Sequence, residues 1–285
     1  MGERRAKKPL IILVILLDLL LAIAVPRDQS LLKGKGKVVL PLSRADLEIN
    51  LCNQPALFKY ADDSNIVIPV WANGECRTDL VDLFLTWTKD NGMVCNSSKC
   101  KELVFRKKGC NQNIELVNNI PQCTVLPILG ITFQSNGKYS EHVRSKLTKA
   151  NKCLYILRSL RKEGICQEEL DHLFKSIVLP NFTYGLSVFG ASDSDLTNIQ
   201  NFLERCFKRK NISNIVNIRK LLEEADKKIY RTRLDQPEYP LSKILPTKKD
   251  QKYNLRKRNV IYPRVHSERF KNTFVNRLVF KYSDI

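Results

Sequence analysis

The rhythm of apolar and polar positions changes three times along this chain. The first stretch, Leu10–Val25, is apolar over 16 residues apart from Asp18, and it follows the basic start MGERRAKKP. A basic start, a short apolar run and small residues at Ala22 and Ala24 predict a secretory signal or a weak signal anchor. The run falls short of the roughly 20 residues that span a bilayer, and an acid at the bilayer centre costs roughly 2.5–3.5 kcal/mol. The expectation is a hydrophobic leader over residues 1–25, with a membrane as a possible partner of residues 10–25. A linker over residues 26–53 follows, containing Lys33-Gly34-Lys35-Gly36-Lys37.

From residue 54 onward the pattern is that of a folded domain. Leu57–Tyr60 and Ser64–Val70 are short β-type runs on either side of an acidic pair, and Pro69 places the end of the second nearby. Over Cys76–Asp90, Leu80, Leu83, Phe84 and Trp87 recur at helical spacing, closed by Asn91-Gly92. Lys101–Arg106, Ile114–Val117 and Val125–Phe133 then predict strands. Hairpin, helix and further strands over residues 54–135 make an α+β layer with a helix on one sheet face.

After Asn136-Gly137 the period is helical. Ser140 caps a helix in which Val143, Leu147, Ala150, Leu154 and Leu157 face inward. A second helix fits Gln167–Leu179, ended by Pro180, and a third fits Ser194–Lys210, with Leu196, Ile199, Phe202, Leu203 and Cys206 inward. Residues 136–235 are therefore expected to form a helical bundle.

Charge adds a partner class. Lys and Arg number 48 against 29 acids, a formal net charge of +19, which favours polyanions or an anionic membrane face. Cations outnumber acids 19 to 12 over residues 136–235 and 12 to 4 over the tail, residues 236–285. Arg144, Lys146, Lys149, Lys152, Arg158, Arg161 and Lys162 on the first bundle helix are either a solvated face or contacts to phosphate. In the tail, Lys248-Lys249 and Arg256-Lys257-Arg258 interleave with Tyr253, Tyr262, Phe270 and Phe274, a mixture that suits phosphate pairing and base stacking as well as a solvated terminus.

Cysteine chemistry is narrower. The nine cysteines form no CxxC spacing, and His142, His172 and His266 stand far apart, which argues against a zinc ribbon and a dense disulfide framework. Mostly buried, reduced thiols are expected. Sequons at Asn96, Asn181 and Asn211 are acceptors only on a secretory route.

The acidic pair lies in Phe58-Lys59-Tyr60-Ala61-Asp62-Asp63-Ser64-Asn65-Ile66-Val67-Ile68. Asp and Asn favour turns, and hard carboxylate oxygens on a tight turn also suit Mg²⁺ against a nucleotide's phosphates. Local composition leaves both readings open.

The ordered series of motifs resembles one family, the reverse transcriptases of non-long-terminal-repeat (LINE-type) retrotransposons. Tyr60-Ala61-Asp62-Asp63 resembles the YADD box of a polymerase palm hairpin. Leu85-Thr86-Trp87 through Asn91-Gly92-Met93-Val94-Cys95-Asn96-Ser97-Ser98-Lys99-Cys100 resembles the helix, loop and lysine of the next palm motif. Leu129-Gly130-Ile131-Thr132-Phe133 is similar to the strand leading from palm to thumb. Cys153–Arg158 and Leu179–Gly185 resemble the thumb, and Tyr253–Arg256 and Arg269–Val275 the C-terminal end.

The resemblance implies the C-terminal half of a palm followed by a thumb-like bundle and a tail. It implies Mg²⁺ as cofactor, with Asp62 and Asp63 at the metal site, Tyr60 under the primer end and Lys99 near the departing phosphates. It implies an RNA template and RNA–DNA duplex as partners, held by the seven helix cations and by Arg256, Lys257 and Arg258. Nucleus or cytoplasm is the family's location, whereas the leader points to the secretory path or a membrane.

Such polymerases also use a further aspartate on an earlier palm strand, in a box like DFSKAFD, and a glycine-containing template segment like PQGSVLGPLLF. Neither box stands upstream of Leu57, where Glu3, Asp18, Asp28, Asp46 and Glu48 lie in no similar context. Two adjacent carboxylates on one turn do not hold both ions for in-line displacement, so the expectation is a truncated polymerase, inactive alone, whose hairpin leaves unpaired edges. The alternatives are a co-opted, non-catalytic nucleic-acid-binding module and a secreted or membrane-anchored product.

Overall fold

The computed structural model describes residues 11–21, 56–60, 63–70, 77–106, 115–234, 262, 264, 265 and 268–283. The chain is mixed α+β and divides into two units, one through Gly137 and one from Lys138.

The first unit is built on a sheet whose strands run in the order β2-β3-β1-β5-β6, with β4 also paired to β1. These are β1 (Ile11–Leu21), β2 (Ala56–Tyr60), β3 (Asp63–Val70), β4 (Met93–Cys95), β5 (Lys101–Arg106) and β6 (Gln122–Cys123). The pairings are antiparallel except β5 with β6. The run expected to be a leader is thus a strand in the middle of the sheet, bonded to β3 on one side and to β4 and β5 on the other. A strand flanked on both edges, in a sheet covered on both faces, has a continuous apolar sequence, and over this length it looks like a signal's apolar core.

Both covers are visible in the packing. On one face helix α1 (Arg77–Asp90) sets Leu80, Val81, Phe84 and Trp87 against Ile66, Ile68 and Val104. Leu83, expected inward, is 41 % exposed, because the buried stripe runs through Val81 instead. On the other face, hairpin β7 (Val125–Ile128) with β8 (Ile131–Gln134) brings Leu126, Ile128 and Phe133 to Val67, Leu103 and Phe105.

Two strand expectations change. Val125–Phe133 is not one strand, because Leu129 and Gly130 adopt φ of 47° and 80° and reverse the chain between β7 and β8. Consecutive positive φ values are those of a type I′ hairpin turn, which glycine accepts at its second position. Glu115–Val117 is irregular and leads into a turn at Asn118 and Asn119, with φ of 48° and 55° and Ile120 N–H donating to the Val117 carbonyl at 2.8 Å. Asparagine tolerates that left-handed conformation, and the Asn118 amide anchors it by donating to Asp82 at 2.7 Å.

The second unit is helical: α2 (Ser140–Lys162), α3 (Gln167–Leu173), α4 (Pro180–Thr183), α5 (Leu186–Phe189), α6 (Asp193–Lys208), α7 (Ile218–Ile229), α8 (Glu268–Lys271) and α9 (Phe274–Tyr282). The expected inward residues of α6 are all buried, as are those of α2 except Leu147, which is half-buried. Pro180 does not end the second helix. A wider π turn over Phe174–Val178 carries the chain past it, with Leu179 N–H bonded to the Phe174 carbonyl at 3.0 Å. Widening accommodates a residue that lacks an N–H, and the Asn181 amide takes over the Ile177 and Val178 carbonyls at 2.8 and 3.2 Å.

The end of the basic tail is part of this unit. Helix α9 buries Arg277, Leu278 and Val279, and Tyr262 stacks on Phe280 at 5.1 Å between ring centroids. Tyr262, expected to be available to bases, is therefore used inside the fold, while Tyr253, Arg256, Lys257 and Arg258 lie outside the described residues.

Candidate functional site

Asp63, the second acid of the pair, opens β3 at a hairpin end. Strands β2 and β3 pair from Ala56 opposite Val67 to Tyr60 opposite Asp63, leaving two residues, Ala61 and Asp62, between them. Asp62 itself lies outside the described residues. Asp63 is half-buried and Tyr60 is 66 % exposed.

Next to this end, β1 supplies an acid that the sequence reading set aside. In the β1–β3 register Asp18 stands opposite Asp63 and Leu17 opposite Ser64. Directly opposite residues on antiparallel strands have Cα atoms roughly 4.5–5.5 Å apart, so the two aspartates come from positions 45 apart in sequence to neighbouring points of one sheet. The expectation of an unpaired edge fails at β3 for the same reason. The remaining edge on this side of the sheet belongs to β2.

The Lys99 loop reaches the same level of the sheet from the other side of β1. Leu19 opposes Cys95 and Leu16 opposes Lys101. Residues 96–100 therefore stand against only Leu17 and Asp18, and the surplus chain is forced out as a loop. That loop is self-braced: the Asn96 side-chain oxygen accepts from Ser98 N–H at 3.2 Å and from Ser98 Oγ at 2.7 Å, and the Asn96 carbonyl accepts from Lys99 N–H at 3.1 Å. Lys99 is exposed. Asp18, Asp63 and the Lys99 loop therefore come to one level of the first unit.

Two buried oxygens follow Asp63 along β3, that of Ser64 on the opposite face of the sheet and that of Asn65 on the face of Asp63. Ser64 is fully buried and Asn65 is 5 % exposed, and neither Ser64 Oγ nor Asn65 Oδ1 has a hydrogen-bond partner among the described residues. Carboxylate and amide oxygens are the donors that hard divalent cations take, so the residues fit Mg²⁺ in kind. Among the described residues no group of three His, Cys, Asp or Glu side chains is placed to hold a metal ion.

The helix cations do not form one phosphate-binding stripe. At about 100° per residue, Lys152 and Arg161 lie on opposite sides of α2. Arg161 donates to the Arg209 carbonyl at 3.2 Å and also to the Lys210 carbonyl, closing the end of α6. Arg144 pairs with Glu141, and Lys146 lies 5.7 Å from the Tyr184 ring centroid, its ammonium pushed to lower pKa by burial and by Lys149. Lys149, Lys152, Arg158 and Lys162 are exposed.

The sequons divide by burial. Asn211 is 1 % exposed and Asn181 has its amide nitrogen committed to carbonyls, which leaves Asn96 as the more accessible acceptor. Asp18 is the acid that the sequence reading set aside and that strand register brings opposite Asp63. Its signal was a lone acid inside a strand-length apolar run, a costly placement that calls for a reason.

No family model, curated protein or solved structure matches this chain.

Proposed function

We propose that this chain derives from a LINE-type RNA-directed DNA polymerase and that its first unit holds a divalent cation with Asp18, Asp62 and Asp63. The observation that supports this reading is the register of Asp18 against Asp63. The family resemblance asks for a further aspartate on an earlier strand, and β1 is an earlier strand with its acid beside the hairpin end. Asp18 meets the objection that two adjacent carboxylates on one turn are too few.

Bound Mg²⁺ ions supply stabilisation of the attacking and leaving oxygens in nucleotidyl transfer. The protein's own part is to hold acids at fixed positions on rigid strands, to offer Tyr60 beside the hairpin end, and to present Lys99 as a charge for departing phosphates. Templated synthesis also needs a segment that holds the template, and no such glycine-containing box lies between Asp18 and Leu57. Cation binding without primer extension is the expected behaviour of the chain alone.

Water-proton relaxation with Mn²⁺ tests the site. Loss of an outer partner of a metal ligand alone costs about 10–100-fold in affinity, so Asp18→Asn and Asp63→Asn should each weaken Mn²⁺ by more than about tenfold. Equal affinity in Asp18→Asn and the parent overturns the site. Mg²⁺-dependent primer extension on RNA, run alongside, overturns the expected inactivity if the parent extends and Asp18→Asn does not.

A second reading, duplex binding without chemistry, draws on the exposed Lys149, Lys152, Arg158 and Lys162. Under that reading each phosphate-contacting cation replaced by alanine lowers the salt slope of binding by about one.

A further inference from the structure

We propose that Cys95 and Cys100 are a dithiol that closes to an intrachain disulfide at the neck of the Lys99 loop. This inference stands apart from the metal-site reading.

Their sulfurs are 3.3 Å apart. A disulfide bond is about 2.0 Å long, so the two sulfurs need close by only about 1.3 Å. The backbone keeps them there. Cys95 is the last residue of β4, paired with Leu19, and Cys100 immediately precedes Lys101, paired with Leu16. Cys100 is further fixed by its N–H and its thiol, which both donate to the Asn96 carbonyl, at 3.2 and 3.1 Å. Both ends of the loop are thus held on β1, which brings the thiols together across its mouth.

Exposure assigns the order of events. Cys95 is half-buried and Cys100 is 2 % exposed, so the Cys95 thiol meets an oxidant first. With oxidised glutathione as the oxidant, the Cys95 thiolate attacks one sulfur and expels a glutathione thiolate. The Cys100 thiolate then attacks the Cys95 sulfur and expels the second. Two electrons pass from the cysteines to glutathione, and the two thiol protons leave with the two glutathione thiolates. The closed ring spans residues 95–100 and contains Lys99.

Peptide mapping of the full chain decides it. After treatment with oxidised glutathione and alkylation, trypsin releases Asp90–Lys99 and Cys100–Lys101 as separate peptides. The expected product is the two peptides joined, about 2 Da lighter than their sum, separated again by dithiothreitol, and absent from Cys95→Ser and from Cys100→Ser. Exposed Cys166 takes up glutathione in the same sample and reports that the oxidant acted. Separate glutathione adducts on Cys95 and Cys100, bonds from either to another cysteine, or alkylated thiols at both while Cys166 has reacted overturn the proposal.

Discussion

Arg277 and Asp226 form a buried two-point ion pair, with Nε to Oδ2 and Nη2 to Oδ1 both at 2.9 Å. The acid, on α7, is fully buried and the arginine, on α9, is 5 % exposed. Ser187 of α5 joins them, donating from Oγ to Asp226 at 2.7 Å and accepting from Arg277 at its carbonyl. Three helices distant in sequence thereby share one polar knot. Removing one member of such a pair leaves a buried charge, so Arg277→Met is expected to cost about 3–5 kcal/mol. Replacing Arg277, Asp226 and Ser187 together by Met, Leu and Ala should recover most of that loss. Urea unfolding of the single and triple variants measures both, and a loss under about 1 kcal/mol for the single variant contradicts the assignment.

Gly190 explains how close the knot lies to the backbone. At φ of +67° it caps α5, and an added Cβ would collide with Arg277 Nη1. An exposed arginine tip would move aside, but this one is fixed by Asp226, Ser187 and the Asn272 carbonyl. Gly92 has the same φ with open space around it. Gly92→Ala is expected to cost about 1 kcal/mol, from backbone conformation alone, and Gly190→Ala at least about 2 kcal/mol. Equal thermal shifts in the two variants would refute the packing argument.

His142 gives the helical unit a pH dependence. It is 1 % exposed on α2, with its ring edge-on to Phe189 at 4.8 Å between centroids. Burial first, and then the charges of Lys146 and Lys149, hold its pKa down to about 4 against an ordinary 6.5. Between those values the unfolded chain binds the proton and the folded chain does not. Its contribution is therefore full above about pH 6.5 and is lost as pH falls towards 4, in total roughly 3 kcal/mol at 1.36 kcal/mol per pKa unit. His142→Leu should flatten the stability curve across that window. Denaturant midpoints at several pH values would show it, and an unchanged slope in the variant would exclude His142 as the source.

The repeat of apolar positions carried much of this fold in plain view. Helix α6 has its five expected residues buried, and Lys101–Arg106 is a strand at the expected bounds. Such elements are legible because helix and strand periods arise within a few consecutive residues and each period names its own buried face. The hairpin of the acidic pair was legible for the same reason, since two short β-type runs three residues apart have few other ways to pair, and the structure shortens the gap to two by pairing Tyr60 with Asp63.

Other features depend on what each element packs against. Nothing within Leu10–Val25 tells a signal's apolar core from a strand in mid-sheet; the pairing of Ile11–Leu21 with β3 on one edge and with β4 and β5 on the other depends on those distant partners. The positive φ of Leu129 and the π turn before Pro180 are likewise set by neighbours and override local preference. The sequence alone determined the types of groups present, two acids on a turn, a lysine in a loop and a lone Asp18. Only strand register, a long-range property fixed by which backbones bond, brought Asp18 to Asp63 and folded the Lys99 loop out beside them.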